Sequence, residues 1–137
     1  MARILLIDDD NTFRTTLSGM LTHYGHTVFE ACNGREGLGL FDDCKPDLVI
    51  TDIIMPEKEG LEVVVELHKK SPYLKIIAMS GGGLLEANNY LYLANVMGAT
   101  KVLVKPFSAT VLLAALAEVL PAEVAPVQAP APVRDGQ

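Results

Sequence analysis

Short apolar runs alternate with amphipathic stretches five times along this chain, and no other feature constrains the fold as tightly. Residues 3–7 (RILLI) are a continuous apolar run, which predicts a strand, β1, buried on both faces. Residues 11–24 follow, with Phe13, Leu17, Met20, Leu21 and Tyr24 at spacings of three and four. That is the stripe of a surface helix, α1. Residues 26–31 (β2) are rich in β-branched and aromatic side chains, and residues 34–44 predict α2. Residues 47–51 (DLVIT) predict β3, and residues 60–70 a charged helix, α3, with Leu61, Val64, Val65 and Leu67 on its apolar side. Residues 74–79 predict β4, and residues 84–97 predict α4, closed by Gly98 as the residue past its end. Residues 101–104 predict β5, and Ser108 caps the last helix, α5, which runs to Leu120. Strands alternating with helices imply a parallel sheet covered on both faces, and right-handed crossovers leave few topologies. The expected fold is α/β, a doubly wound five-stranded parallel sheet.

The 137 residues suit one domain with one substantial core. We place that domain at residues 1–120. Residues 121–137 hold four of the eight prolines among alanine and valine, and read as a flexible Pro/Ala-rich tail. With 50% hydrophobic and 20% charged residues, the chain as a whole is not disordered. Eleven Lys and Arg against 17 Asp and Glu give a net charge of −6, with no basic cluster. That argues against a nucleic-acid partner. No apolar run approaches the roughly 20 residues of a membrane span. Arg3 alone precedes the first apolar run, and three aspartates cut it short, unlike a secretory signal. A cytoplasmic protein is expected. Cys32 and Cys44 give neither a disulfide framework nor a metal spacing and read as two cytosolic thiols.

In open α/β sheets ligands bind beyond the carboxyl ends of the strands. Here β1 runs into Asp8, Asp9 and Asp10, β3 into Asp52, β4 into Ser80 and a run of three glycines, and β5 into Lys105 and Pro106. Each alone has an ordinary explanation. An acidic run favours a helix N-terminus, and Asp52 suits a turn. Lysine before proline is usually solvated, and serine before glycines is loop punctuation. Together they bring carboxylates, a hydroxyl and an ammonium to one rim. Clustered carboxylates repel unless a cation joins them, and an all-oxygen donor set suits Mg²⁺. An aspartate beside Mg²⁺ can attack phosphorus, with a lysine and a hydroxyl to receive the phosphoryl oxygens.

The motif set ILLIDDD, DLVITDIIMPEKEG, IIAMSGG and VLVKPFS resembles the receiver domain of bacterial two-component response regulators. The resemblance covers residues 3–120, with four separated motifs in order on the expected strand ends. It implies a flavodoxin-like (βα)5 fold. It implies that Asp52 accepts a phosphoryl group from a histidine kinase or phosphotransfer protein. Asp9 would be a direct Mg²⁺ ligand, Asp8 would act mainly through water, and the Ile54 carbonyl would complete the protein ligands. Lys105 would pair with the phosphoryl group, the peptide before Pro106 would be cis, and Ser80 would be the switch hydroxyl. Such a domain is not an enzyme in the ordinary sense; it catalyses only its own phosphorylation and dephosphorylation. The chain departs from the pattern in places. Val102 stands where members often have Tyr or Phe, and Ile54 is apolar. Three glycines follow Ser80, and the stretch from Ser80 to Gly98 is about one helical turn longer than usual.

Two other readings compete. Asp8-x-Asp10-x-Thr12 also resembles the opening of haloacid-dehalogenase-type phosphatases, with Asp8 as nucleophile, Asp10 as acid/base and Lys105 binding phosphate. That reading leaves Asp52 without a role. A receiver-like module that only binds protein is the other. With no output domain after residue 120, a stand-alone regulator that signals through a protein partner, or a relay member, is expected. Helices α4 and α5 are charge-poor, carrying Glu86 and Glu118. The period turns Leu112, Leu116 and Val119 inward on α5 and leaves Val111, Ala114 and Ala117 outward. On α4 it leaves Leu85, Tyr92 and Val96 outward. The α4–β5–α5 face is therefore the expected docking surface for an output protein or a second copy.

Overall fold

The computed structural model describes residues 2–53, 60–81 and 98–120. The strands are β1 (Arg3–Ile7), β2 (Thr27–Ala31), β3 (Leu48–Asp52), β4 (Lys75–Gly81) and β5 (Lys101–Lys105). The described helices are α1 (Asn11–His23), α2 (Gly34–Cys44), α3 (Gly60–Lys70) and α5 (Ala109–Val119). The expected α4, the Ile54 position and the tail lie outside the described residues. The strands form one parallel sheet in the order β2-β1-β3-β4-β5. This is the doubly wound arrangement that the alternation predicts.

Alternate residues of each inner strand feed two separate cores. Ile4, Leu6, Leu48, Ile50, Ile77 and Met79 pack with Leu17 and Leu21 of α1 and with Leu112, Leu116 and Val119 of α5. Leu5, Ile7, Val49, Ile76 and Ala78 pack on the other face with Cys44 of α2 and Val63, Val64 and Leu67 of α3. Burial on both faces is why β1 and β3 read as unbroken apolar runs. The α5 phase agrees with the sequence: Leu112, Leu116 and Val119 are buried, and Val111, Ala114 and Ala117 are exposed. The α3 stripe needs a correction. Val63 is fully buried and Val65 only half-buried. The helix is phased by its start. A side chain at Gly60 would collide with the backbone of Asp52 and Ile53, and the Gly60 amide donates to the Ile53 carbonyl at 2.6 Å.

The helix ends follow local chemistry. Asp10 caps α1, accepting from the Phe13 amide, and Asn33 caps α2, accepting from the Glu36 amide. Ser108 caps α5 through the Val111 amide, as its sequence predicts. Gly98 has a φ of 121°, a conformation open to glycine at little cost. Strand order reverses between β1 and β3. That switch point opens a crevice at their carboxyl ends.

Candidate functional site

The strands carry their functional residues slightly further than the apolar runs alone mark. Asp52 is the last residue of β3, Lys105 the last of β5, and Ser80 lies within β4. In the parallel register Asp52 sits beside Met79, and Ser80 beside Val104. Asp8 follows β1 directly, its amide donating to the Ala31 carbonyl at 3.1 Å. Five of the six predicted site residues, Asp8, Asp9, Asp52, Ser80 and Lys105, therefore fall on one rim. The sixth, Ile54, lies outside the described residues.

Asp8 is fully buried, and Asp52 and Ser80 nearly so. Between the two carboxylates sits one ammonium. Lys105 Nζ donates to Asp8 Oδ2 at 2.8 Å and to Asp52 Oδ2 at 3.3 Å. The remaining oxygens are also engaged. Asp8 Oδ1 accepts the Asp10 amide at 3.0 Å, and Asp52 Oδ1 accepts the Ile53 amide at 2.9 Å. Asp9 differs: it is exposed. Ser80 Oγ donates to the Gly81 carbonyl at 3.3 Å. The Lys105–Pro106 peptide is cis, as the resemblance implies.

Two buried carboxylates sharing one cation are electrostatically under-compensated. Burial pushes the Asp52 carboxyl up to about 6, against the pull of Lys105 and with a further push from Asp8. Burial disfavours the Lys105 ammonium, but its bond to Asp8 and the charge of Asp52 outweigh this and hold it above the ordinary lysine range. One oxygen from each of Asp8, Asp9 and Asp52 lies within 4.8 Å of the others. An all-carboxylate group of that size, short of positive charge, fits a hard divalent cation of the Mg²⁺ kind.

The sequence reading missed three neighbours of the site. Phe13, assigned to the core stripe of α1, also lies under Lys105, whose Nζ is 4.3 Å from the ring centroid. Phe107 meets Phe13 edge to face, with centroids 5.8 Å apart. Arg14 donates to the Asp8 carbonyl at 2.7 Å and to Glu30 at 3.0 Å, tying the top of β1 to β2. The only signal for Phe13 was an aromatic in the first turn of a helix that starts just after Asp8. The acidic run also has its ordinary component, since Asp10 is spent on capping α1. Cys32 is exposed, Cys44 is buried, and both are free thiols.

Comparison with known proteins identifies the family of the chain. A family model described as the response regulator receiver domain matches residues 4–117. A chemotaxis protein CheY of Thermotoga maritima is 36% identical over 122 residues, covering 85% of this chain and 96% of that protein. The DNA-binding transcriptional regulator NtrC of Azospirillum brasilense is 34% identical over 130 residues, covering 95% of this chain but 26% of its own length. Among solved structures, a receiver domain protein from Clostridium thermocellum superposes with a TM-score of 0.79 at 34% identity, covering 87% of this chain and 94% of that one. CheY4 of Vibrio cholerae superposes with a TM-score of 0.78 at 32% identity, covering 88% of this chain and 99% of its own.

Proposed function

The chain belongs to the response regulator receiver family, and from that premise we propose that Asp52 is its phospho-acceptor. Receiver domains accept phosphoryl groups in two-component signalling and act as signalling domains rather than as ordinary enzymes. The observation that carries the residue assignment is the sharing of one ammonium, Lys105, by the buried carboxylates of Asp8 and Asp52. The phosphatase alternative falls with this membership. The geometry also argues against it, because Asp10, its acid/base, is occupied as a helix cap.

In the proposed step an Asp52 oxygen attacks phosphorus, and the bond from phosphorus to the donor's imidazole nitrogen breaks with its electron pair going to that nitrogen. The product is an acyl phosphate. Receiver domains generally bind Mg²⁺ at an acidic pocket. We assign that role here to Asp8, Asp9 and Asp52, with the Ile54 carbonyl as the further ligand the resemblance implies. Held there, such a cation would supply positive charge to offset the clustered carboxylates and the phosphoryl group. Lys105 follows the negative charge as it spreads from Asp52 onto the phosphoryl group. Ser80, now bonded to the Gly81 carbonyl, is the hydroxyl that turns to the new oxygens.

The donor is a histidine kinase or a phosphotransfer protein, and the setting we propose is the cytoplasm. Among the described residues no helix is long and apolar enough to cross a membrane. The output surface we favour is the face of the expected α4 with β5 and α5, for an output protein or a second copy. On its described part Val104 and Val111 are each 44% exposed, and Lys101 pairs with Glu118 at 2.9 Å across the seam. Val102, half-buried, occupies the position of the family's aromatic.

The test is labelling with a small phosphodonor and Mg²⁺, read by intact mass. The wild type gains one phosphoryl group, and Asp52→Asn gains none. Labelling that survives in Asp52→Asn and vanishes in Asp8→Asn would overturn the assignment.

A further inference from the structure

The ammonium of Lys105 is held on three sides. Asp8 and Asp52 take two of them, and the face of Phe13 takes the third, at 4.3 Å from the ring centroid. The lysine side chain is left only 15% exposed. The ring is itself fixed. Phe107, two residues past Lys105, meets it at an interplanar angle of 86°, and the Phe13 amide is tied to the Asp10 cap of α1. The short stretch from Asp8 to Phe13 thus supplies both a carboxylate and an aromatic face to one cation.

We propose that Phe13 is a positioning residue for phosphoryl transfer, its ring face holding the Lys105 ammonium over the acceptor carboxylate. The inference rests on the reading of Asp52 as phospho-acceptor. A lysine is a point charge on a flexible four-carbon stem, and carboxylates alone do not fix its direction. An aromatic face attracts a cation through its quadrupole, most strongly where water is excluded. As the bond from Asp52 to phosphorus forms and the donor bond breaks, Lys105 must pass from Asp52 Oδ2 to a phosphoryl oxygen. The ring lies on the α1 side of the ammonium, away from which that movement would run. Packing is the ordinary role of Phe13, which also lies against the core shared by α1 and α5. The two roles separate by experiment.

Labelling rates at saturating Mg²⁺ with acetyl phosphate are compared for wild type, Phe13→Leu and Phe13→Tyr, each with Lys105 intact and as Lys105→Met. Phe13→Leu should slow labelling roughly three- to tenfold, the range of a partly desolvated cation–aromatic contact. Phe13→Tyr, which keeps the ring, should restore the rate. With Lys105→Met the two variants should label alike, since no cation remains to be held. A trifluorinated phenylalanine at position 13 keeps the volume but weakens the ring face. It too should slow labelling, which keeps the idea testable if Phe13→Leu fails to fold. Labelled wild type with equal rates for the fluorinated ring, or an unchanged Phe13→Leu defect in the Lys105→Met background, overturns the positioning role alone. Wild type unlabelled at Asp52 overturns both readings.

Discussion

The two ends of one sheet are built on opposite terms. At the amino end, among the described residues, a set of polar groups is paired within the chain, His26 Nε2 excepted. The Arg3 amide donates to Asp47 at 2.8 Å, and the Asp47 amide returns a bond to the Arg3 carbonyl at 2.7 Å. The Arg3 guanidinium donates to the Cys44 carbonyl and lies 4.8 Å from the Phe29 ring centroid. Ala2 donates to His26 Nδ1 at 3.1 Å and accepts from Thr27 at 2.9 Å. At the carboxyl end, two buried carboxylates share one ammonium and a third stands exposed beside them. The same five strands thus carry a closed end that stabilises and an open end short of positive charge. Such a shortage is costly in a resting fold and useful where a metal and a phosphoryl group are to be received.

Perturbation should therefore separate the ends, losing function at one and stability at the other. The largest effect is expected from Asp9→Ala. Asp9 is exposed, so the fold should tolerate the change, while Mg²⁺ affinity should fall roughly a hundredfold with loss of a charged ligand. Titration with Mg²⁺ checks this, and undiminished affinity would remove Asp9 from the metal group. Next is Asp52→Asn, which removes a buried charge and, secondarily, its repulsion with Asp8. In metal-free buffer at pH 7 it should raise stability by on the order of 1–3 kcal/mol, set by a carboxyl pushed from 3.8 to about 6. Denaturant unfolding reads the difference, and a less stable variant would mean that the carboxylate is fully compensated. Asp47→Ala at the amino end should do the reverse. It removes the acceptor for the Arg3 amide and should cost about 1 kcal/mol. Labelling of the folded protein should stay at the wild-type rate.

The legibility of the molecule followed the range of its interactions. The bounds of β1, α2 and α3 match the sequence reading because their signals are local: an unbroken apolar run in β1 and, for the two helices, stretches set apart from the strands beside them. The inward set on α5 was also local, read from the spacing of Leu112, Leu116 and Val119 at four and three. In α3 three consecutive valines blur that period. What decides that Val63 is buried is the close approach of Gly60 to the end of β3, a contact between elements. The site divides the same way. Asp8, Asp52, Ser80 and Lys105 were legible because a parallel sheet brings strand ends together. The Phe13 ring under Lys105 was not, because that contact joins two residues 92 positions apart and its one local signal, an aromatic in the first turn of α1, reads equally as core. The Arg14 bond to the Asp8 carbonyl is only six residues long in sequence. It was missed because an arginine in a first turn reads as surface charge.

The smallest effect is a difference in the sign of pH dependence between the two ends. His26 is buried at the amino end, and among the described residues its Nε2 has no hydrogen-bond partner. Burial, and then the charge of the amino terminus, hold its folded pKa below the ordinary 6.5. The unfolded chain therefore takes up its proton first. Stability from His26 is fully present above pH 6.5 and is lost as pH falls below that toward the folded value. Asp52 has the opposite sign. Its folded pKa is raised, so stability is highest below 3.8 and is lost as pH rises through about 6. In wild type the two slopes oppose one another as pH falls below about 6. Single variants should uncover them. In metal-free buffer, Asp52→Asn removes the carboxylate slope, so this variant should lose stability more steeply than wild type on acidification below pH 6.5. His26→Asn keeps an acceptor for the Ala2 amide and removes the histidine slope, so it should gain stability relative to wild type over the same interval. Chemical denaturation at half-unit steps of pH would resolve both. Parallel curves for wild type and His26→Asn would show that His26 titrates in the fold as it does in the open chain, and that the amino end is less closed than its hydrogen bonds suggest.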